Sequence, residues 1–355
     1  MASLHLHFVS ESACYFVRML QPARFCYEEL KQWGHTIEIG DTLPSGFDWI
    51  GFHGLPSYLQ LFRLQELQNE GSKILWSLDD DFLSIPDWNP AKLGPEGLAC
   101  FSFMRSMADH IFVSTKAIAN TFNRYDPVDD RTHEFPLVSV APNLLDLGQF
   151  PTPPYEEFGF AENWTPELPV RVVWMGGPTH KEDVSFLTPV IRELLKKHGK
   201  DRVWFVFMGQ APPSELIREF LHRGVFWQQG VTFSQYAKIR NSINPHIWLA
   251  PLADIPFNLS KSNLRILEGW ALSSAVVASD WGEYSCIRHG IDGMLCKTEE
   301  DWFDHLNALI LDPNRRLQMA ADGWQRVKAE WNWANRDNRF PWIAALGRLF
   351  GESFR

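Results

Sequence analysis

The sequence predicts an α/β protein of two Rossmann-like domains that face each other across a cleft. Its 355 residues are enough for about two domains of ordinary size. Segments with the hydrophobic pattern of strands alternate with amphipathic helical segments, which is typical of parallel sheets. The alternation stops at Gln149–Pro169, a stretch rich in Pro, Phe and Glu, and then begins again. This stretch is therefore the predicted linker.

The first domain is predicted over residues 1–160. Short apolar runs predict strands at Leu4–Val9, Thr36–Ile39, Asp48–Phe52, Lys73–Leu78, Ala108–Ser114 and Val138–Ala141. Apolar residues recur with helical spacing between them, which predicts helices at Arg18–Trp33, Tyr58–Glu70 and from Thr115 onward.

The second domain is predicted over residues 161–330. Its predicted strands are Val170–Met175, Arg202–Met208, His246–Ala250 and Ala275–Ser279. Its predicted helices are Leu187–Lys197, Ser214–His222, Phe233–Asn241, Ser260–Leu272, Glu299–Leu311 and Arg315–Trp331. In open α/β sheets the ligand binds at the carboxyl ends of the strands, so the loops at those ends are the candidate sites.

Composition and charge exclude several classes of protein. With 45% hydrophobic and 21% charged residues, the chain is expected to be globular, and it has no apolar run long enough to span a membrane. Its five cysteines contain no CxxC pair, which argues against a disulfide framework or a thiolate zinc site and predicts a cytoplasmic protein, free or at a membrane surface. Residues 1–150 carry a net charge of −9, which disfavours nucleic acid as a partner.

The segment Ser260-Lys261-Ser262 follows a predicted strand and is expected to begin a helix. Helix N-terminal amides together with a lysine and hydroxyls are suited to a diphosphate. Glu268 then falls on the same helix face, about 10 Å along the axis, where it can bind ribose hydroxyls. The residues alone leave an alternative open, in which the first serine only caps the helix and Glu268 pairs with Arg265.

The same residues resemble a known family. The block from Leu249 to Asp280 is similar to the donor-binding half of retaining GT-B glycosyltransferases of the large family 4 type. The similarity continues through Gly282–Tyr284, His289–Leu295, Trp302, Asp312-Pro313 and Arg315-Arg316, and upstream at Val172–Asp183. Shorter motifs resemble the acceptor-side domain of one subgroup, namely Tyr15–Arg18 with Pro22, Asp48–Ile50, Ser77–Asp81 with Ile85-Pro86, Ser114-Thr115 and Pro142-Asn143.

The resemblance implies the GT-B fold, with residues 331–355 forming a helix that packs back toward the first domain. It implies transfer of a sugar, with retention, from a UDP- or GDP-linked donor to a hydroxyl acceptor, with no metal and no cofactor besides this co-substrate. The donor-binding residues that it implies are Gly177, His180, Lys181, Asn258, Ser260, Lys261, Ser262 and Glu268. Lys181, Lys261 and His53 are expected to serve catalysis.

One departure from the family pattern bears on activity. Many members place a glutamate eight residues before the one that matches Glu268, and here that position is Ser260. The departure leaves open a catalytically silent GT-B protein that binds a nucleotide or a partner. The acceptor is also left open, among a polysaccharide, a lipid-linked sugar, a small metabolite and a hydroxymethylated base of phage-type DNA.

The acidic run Asp79–Asp81 follows a predicted strand and permits three interpretations. Adjacent carboxylates can hold Mg²⁺ or Mn²⁺, cap local turns, or bind the hydroxyls of an acceptor. Because the donor signature lies in the second half, no essential metal is expected, and Asp80 and Asp81 are assigned to the acceptor side. His53 and Arg18 are assigned there too, the alternative for the histidine being a buried side chain with satisfied hydrogen bonds.

Overall fold

The computed structural model describes residues 2–7, 13–124, 137–153 and 169–351. The chain divides into two compact units. The first comprises Met1–Leu145, Leu259–Ser262 and Trp333–Arg355, and the second comprises Asp146–Asn258 and Asn263–Asn332. The expected boundary at residue 160 lies outside the described residues, as does most of the predicted linker.

The first unit is built on a six-stranded parallel sheet with the order β2-β1-β3-β4-β5-β6. The strands are β1 (Ser3–His7), β2 (Thr36–Gly40), β3 (Trp49–His53), β4 (Lys73–Leu78), β5 (His110–Val113) and β6 (Leu137–Val140). Each falls within a few residues of a strand predicted from the sequence. The central strands β3 to β5 are buried on both faces, as their continuous apolar runs require.

The helices of the first unit differ more from the prediction. In place of one helix over Arg18–Trp33, the structure has α1 (Ala13–Tyr15), a π-helix (Phe16–Leu20) and α2 (Gln21–Gln32). These are followed by α3 (Tyr58–Asn69), α4 (Pro95–Met107) and α5 (Lys116–Arg124). Ser57 begins α3 through a capping box with Gln60. Helix α4 was not predicted.

The second unit has its own six-stranded parallel sheet, with the order β12-β11-β10-β7-β8-β9. The strands are β7 (Val170–Gly176), β8 (Val203–Gly209), β9 (Val225–Gln229), β10 (Ile247–Ala250), β11 (Ala275–Ser279) and β12 (Gly293–Cys296). The helices are α6 (Lys181–Ser185), α7 (Thr188–His198), α8 (Ser214–Phe220), α9 (Phe233–Ile243), α10 (Leu264–Ala271), α11 (Glu299–Leu311) and α12 (Pro313–Glu330). The sheet order reverses between β7 and β10, so the carboxyl ends of these two strands form the expected ligand position.

The last helix, α13 (Arg336–Leu349), belongs to the first unit. Trp342, Ile343 and Leu346 on this helix are buried, and the indole of Trp342 donates to the Pro142 carbonyl oxygen at 2.7 Å. Phe340, on the same helix, is 49% exposed. Among the described residues, no helix has the length and hydropathy needed to cross a membrane.

Candidate active site

The loop after β7 lies at the point where the strand order of the second unit reverses. Gly177 is exposed and begins a 3₁₀ turn, Pro178–His180, and exposed Lys181 then begins α6. The neighbouring strand β8 ends at Gly209, whose φ is +93° and where a Cβ would collide with the Gly176 carbonyl. Glycine at this position therefore lets β8 end close against the loop that carries the predicted donor residues.

A buried carboxylate, Asp183, joins this loop to the loop after β10. Its Oδ2 accepts from Nδ1 of His180 at 2.7 Å. Its Oδ1 accepts from the Ala253 backbone N–H at 2.8 Å and from Nδ2 of Asn258 at 2.7 Å. Only 3% of Asp183 is exposed. Asp183 is not among the predicted site residues, although its position three after His180 on a helical turn is a signal for such a contact.

Asn258, a predicted donor-binding residue, lies inside the β10 loop. It is 2% exposed, and Nδ2 also donates to the Ala253 carbonyl oxygen at 2.9 Å. Both hydrogens of its amide are therefore used, one on Asp183 and one on the backbone of the β10 loop. In this structure Asn258 braces the β10 loop from beneath.

The predicted helix Ser260–Leu272 is shorter than expected. Pro256–Ser260 forms a separate 3₁₀ turn, and α10 begins at Leu264 with Asn263 as its N-cap. The segment 260–262 therefore does not form the N-terminus of this helix. The contacts of Asn258 and the 3₁₀ turn that begins at Pro256 hold the residues before α10 in a conformation that is not α-helical.

Glu268 lies half-buried on α10 and contacts α9. Its Oε1 accepts from the Tyr236 hydroxyl at 3.1 Å and lies 3.6 Å from Nη1 of Arg240. Burial, with the neighbouring carboxylate, raises the pKa of Tyr236, so the phenol stays protonated and donates. Arg265, which helical spacing offered as the partner, instead lies over the ring of Trp174 at 5.3 Å. Tyr236 and Arg240 were missed because no local pattern pairs them with Glu268.

Lys261 and its neighbours are anchored in the first unit. Nζ of Lys261 donates to Oδ1 of Asp80 at 2.6 Å. Thr115 donates to the Ser260 carbonyl oxygen at 3.1 Å, and Asn143 donates to the Ser262 hydroxyl at 2.9 Å. The segment thus lies at the carboxyl ends of β4, β5 and β6, beside the residues assigned to the acceptor. The pairing of Lys261 with Asp80 was not predicted.

His53 and Arg18 are both deeply buried in the first unit. Burial, aided by the charge of Arg18, lowers the pKa of His53 to about 3, so its ring is neutral at pH 7. Arg18 is 1% exposed; it donates to the hydroxyl of Ser77, the carbonyl of Ala141 and the side chain of Asn143, and stacks on Trp342. Through these contacts Arg18 joins the strands to the last helix. Arg18 would have to leave these partners before it could contact an acceptor.

The three carboxylates of the acidic run have different surroundings. Asp81 accepts from the Leu83 backbone N–H at 3.1 Å and from the Ser84 and Thr121 hydroxyls, which is a capping role. Burial raises the pKa of Asp79, which also accepts from Asn143 at 2.9 Å. The side chain of Asp80 is 34% exposed. Within the described ranges, no group of three or more His, Cys, Asp or Glu side chains is arranged to hold a metal ion.

A pocket of about 930 Å³ opens in the second unit at the carboxyl ends of β10, β11 and β12. Its lining includes Glu182 and Asp254 near the donor loops, with Trp281 and Trp302 on the side of β11 and β12. It shares no residue with the predicted donor set. The donor assignment therefore depends on polar contacts and not on this volume.

The chain is similar to a known protein family and to several solved structures. Residues 192–340 match the family described as glycosyl transferase-like. None of the curated proteins compared with the chain matches it significantly. Among solved structures, sucrose-phosphate synthase (tll1590) from Thermosynechococcus elongatus is similar at 13% identity and a TM-score of 0.65, over 99% of this chain and 98% of that one.

Two further structures have similar folds over nearly the whole chain. Anabaena Alr3699/HepE, in complex with UDP-glucose, is 13% identical with a TM-score of 0.64, over 99% of this chain and 100% of that one. A glycosyltransferase from Rickettsia africae ESF-5 is 11% identical with a TM-score of 0.60, over 99% of both chains. The family match and the shared fold confirm the predicted GT-B fold class and the resemblance to GT-B glycosyltransferases. The predicted class of enzyme, a glycosyltransferase, is the class of the matched family.

Proposed function

We propose that this chain transfers a sugar from a nucleotide-sugar donor to a hydroxyl acceptor and binds the nucleotide in its second unit. The observation that carries the proposal is the junction at Asp183, which locks two loops together at the carboxyl ends of β7 and β10. Exposed Gly177 and Lys181 lie on one of these loops. This is the strand reversal at which doubly wound sheets bind nucleotides.

The diphosphate of the donor is assigned to Lys181 and to the backbone around Gly177. As the bond from sugar to phosphate breaks, negative charge grows on the bridging oxygen, and a fixed cation stabilises that charge. We propose that lysine side chains and backbone amides stabilise the leaving diphosphate without a metal. We also propose that the reaction proceeds with retention, as the resemblance implies. Lys261, whose Nζ contacts Asp80, is tested separately as the second cation that the resemblance implies.

Glu268 is assigned to the ribose hydroxyls. The phenol of Tyr236 and the guanidinium of Arg240 hold one of its oxygens, and the ionised carboxylate can still accept from further donors. A ribose diol is such a donor pair. UDP is the first nucleotide to test, since the similar Anabaena structure contains UDP-glucose.

The test of this function is calorimetry and thermal shift with UDP, GDP and their glucose conjugates. Glu268→Ala is expected to weaken nucleotide binding by about 1–3 kcal/mol, the range for losing a charged hydrogen-bond acceptor. Asp254→Ala is the matched control, because this exposed carboxylate also lies on the second unit but outside the assigned contacts. Equal affinity of Glu268→Ala and wild type would refute the ribose assignment.

A turnover assay separates the enzyme from a silent nucleotide-binding protein, the alternative that Ser260 in place of the family glutamate favours. Release of UDP from UDP-glucose, with or without an added acceptor, supports the enzyme. Tight nucleotide binding without release supports the silent protein. The acceptor classes to offer are polysaccharide, lipid-linked sugar, small hydroxyl compounds and hydroxymethylated DNA.

A further inference from the structure

We propose that Asp183 is a positioning residue that fixes the protonation and orientation of His180 toward the donor diphosphate. The inference deepens the proposed function and rests on it for the identity of the ligand. Its starting point is that the two oxygens of Asp183 have different partners. Oδ2 accepts from His180 in the β7 loop, and Oδ1 accepts from Ala253 and Asn258 in the β10 loop.

The contact with Asp183 determines which nitrogen of His180 carries the proton. An ionised carboxylate only accepts hydrogen bonds, so Nδ1 must be the donating nitrogen. Any contact of the ring with a ligand is then made through Nε2, on the opposite side of the ring. The same logic orients histidines that bind metals or serve as catalytic bases, where a carboxylate holds the second nitrogen.

The second consequence concerns charge. A ring whose Nδ1–H is given to a carboxylate can donate to a phosphate only as the imidazolium, through Nε2–H. The buried carboxylate stabilises that cation, and the cation in turn separates the carboxylate from the phosphate charge. Two ionisable groups from other elements lie near Asp183: Tyr284, whose pKa is raised by burial and by Asp183, and Arg265, which hydrogen-bonds Tyr284.

The bonds at Oδ1 couple the orientation of His180 to the β10 loop. Because one rigid, 3% exposed carboxylate holds both loops, a shift of the β10 loop changes the position of the ring. Asp183 therefore does more than brace the fold, and the two roles can be separated by experiment. A brace affects all ligands alike, whereas an orienting carboxylate affects the phosphate part of the ligand.

The decisive variant is Asp183→Asn, which keeps the shape of the side chain and turns one acceptor into a donor. Facing the amide, the ring must accept at Nδ1 and carry its proton on Nε2. In ligand-free protein labelled with ¹⁵N at histidine, the ring nitrogen shifts report this tautomer, and His180→Gln identifies the signal. The proposal predicts a ring protonated at Nδ1 in the wild type, as the neutral tautomer or the imidazolium, and a neutral ring protonated only at Nε2 in Asp183→Asn.

Binding provides the second readout. Asp183→Asn should lower affinity for UDP by about 10- to 100-fold, the range for losing a charge-assisted contact, and leave affinity for uridine unchanged. In a His180→Gln background the same substitution should cause little further loss, because the two residues act as one unit. The matched control is Ser279→Ala, which removes a buried contact of the same β10 loop, to Leu252, without touching His180.

Three results would overturn the proposal: a neutral ring protonated only at Nε2 in the wild type, equal losses for UDP and uridine in Asp183→Asn, or additive losses in the double variant. Should Asp183→Asn fail to fold, two other measurements still test the proposal. One is the histidine spectrum of the wild type. The other is the ratio of the affinities for UDP and uridine, which must be lower in His180→Gln than in the wild type. If no nucleotide binds the wild type, the proposed function fails, while the tautomer still decides whether Asp183 orients the ring.

Discussion

Acid should destabilise the protein through two histidines buried in the first unit. Burial lowers the pKa of His53 to about 3 and that of His110 to about 4. In the unfolded chain both rings have a pKa of about 6.5, so between pH 6.5 and pH 4 the unfolded state binds more protons than the folded state. Stability is therefore fully present above pH 6.5 and falls as the pH drops toward the folded values.

The size of the effect follows from the gap between the two pKa values. At pH 5 each ring contributes a loss of about 2 kcal/mol relative to pH 7, because the unfolded form is protonated across about 1.5 pH units at about 1.4 kcal/mol per unit. Together the two rings remove about 4 kcal/mol, a large part of the stability of an ordinary domain.

The assay is urea unfolding at pH 7 and pH 5, for the wild type and for His110→Gln. This ring lies outside the assigned site, and its Nε2 contacts the Ser139 hydroxyl at 2.9 Å. Glutamine cannot titrate, so the variant should lose about 2 kcal/mol less than the wild type on acidification. His289→Gln, on the exposed surface of the second unit, is the control. If wild type and His110→Gln lose the same stability between pH 7 and pH 5, the burial argument is wrong.

Three further predictions concern the reaction. Transfer should persist in EDTA, because no essential metal is assigned to Asp79–Asp81; loss of turnover that Mn²⁺ restores would make this run a metal site. Lys261→Ala should lower kcat about 10²- to 10³-fold in steady-state kinetics at saturating acceptor, with little recovery in Lys261→Arg; a rise in KM alone would make this lysine a binding contact. Asp80→Asn should lower kcat in the same direction but less, since it releases the lysine without removing it; an unchanged kcat would separate the ion pair from catalysis.

The sheets could be predicted from the sequence because their central strands are buried runs of apolar residues. Two strands escaped prediction for physical reasons. Strand β9 lies at the edge of its sheet, and its last residues are exposed glutamines. Strand β12 has four residues and follows a glycine-containing turn. Helix α4 also lacks a strong sequence signal, since its buried face is formed by two methionines, a cysteine and one phenylalanine.

The candidate site could be predicted only in part. Glu268 could be predicted from local spacing, and the β7-loop residues from the family resemblance. Tyr236, Arg240 and the bonds of Asp183 to the β10 loop are recognisable only from the fold, because each contact is with a residue that another element brings near. Long-range pairs of this kind leave no periodic pattern in a single sequence.

The segment 260–262 shows how a correct spacing rule can lead to a wrong local structure. Seven residues place Lys261 and Glu268 on one helix face only if the helix already includes Lys261. The helix begins three residues later, because Asp183 holds Asn258 and a 3₁₀ turn occupies Pro256–Ser260. Lys261 is then placed by Asp80, a residue 181 positions away in sequence. Whether this lysine acts on the diphosphate therefore depends on tertiary contacts that its local sequence does not encode, so the kinetics of Lys261→Ala and Asp80→Asn are needed together.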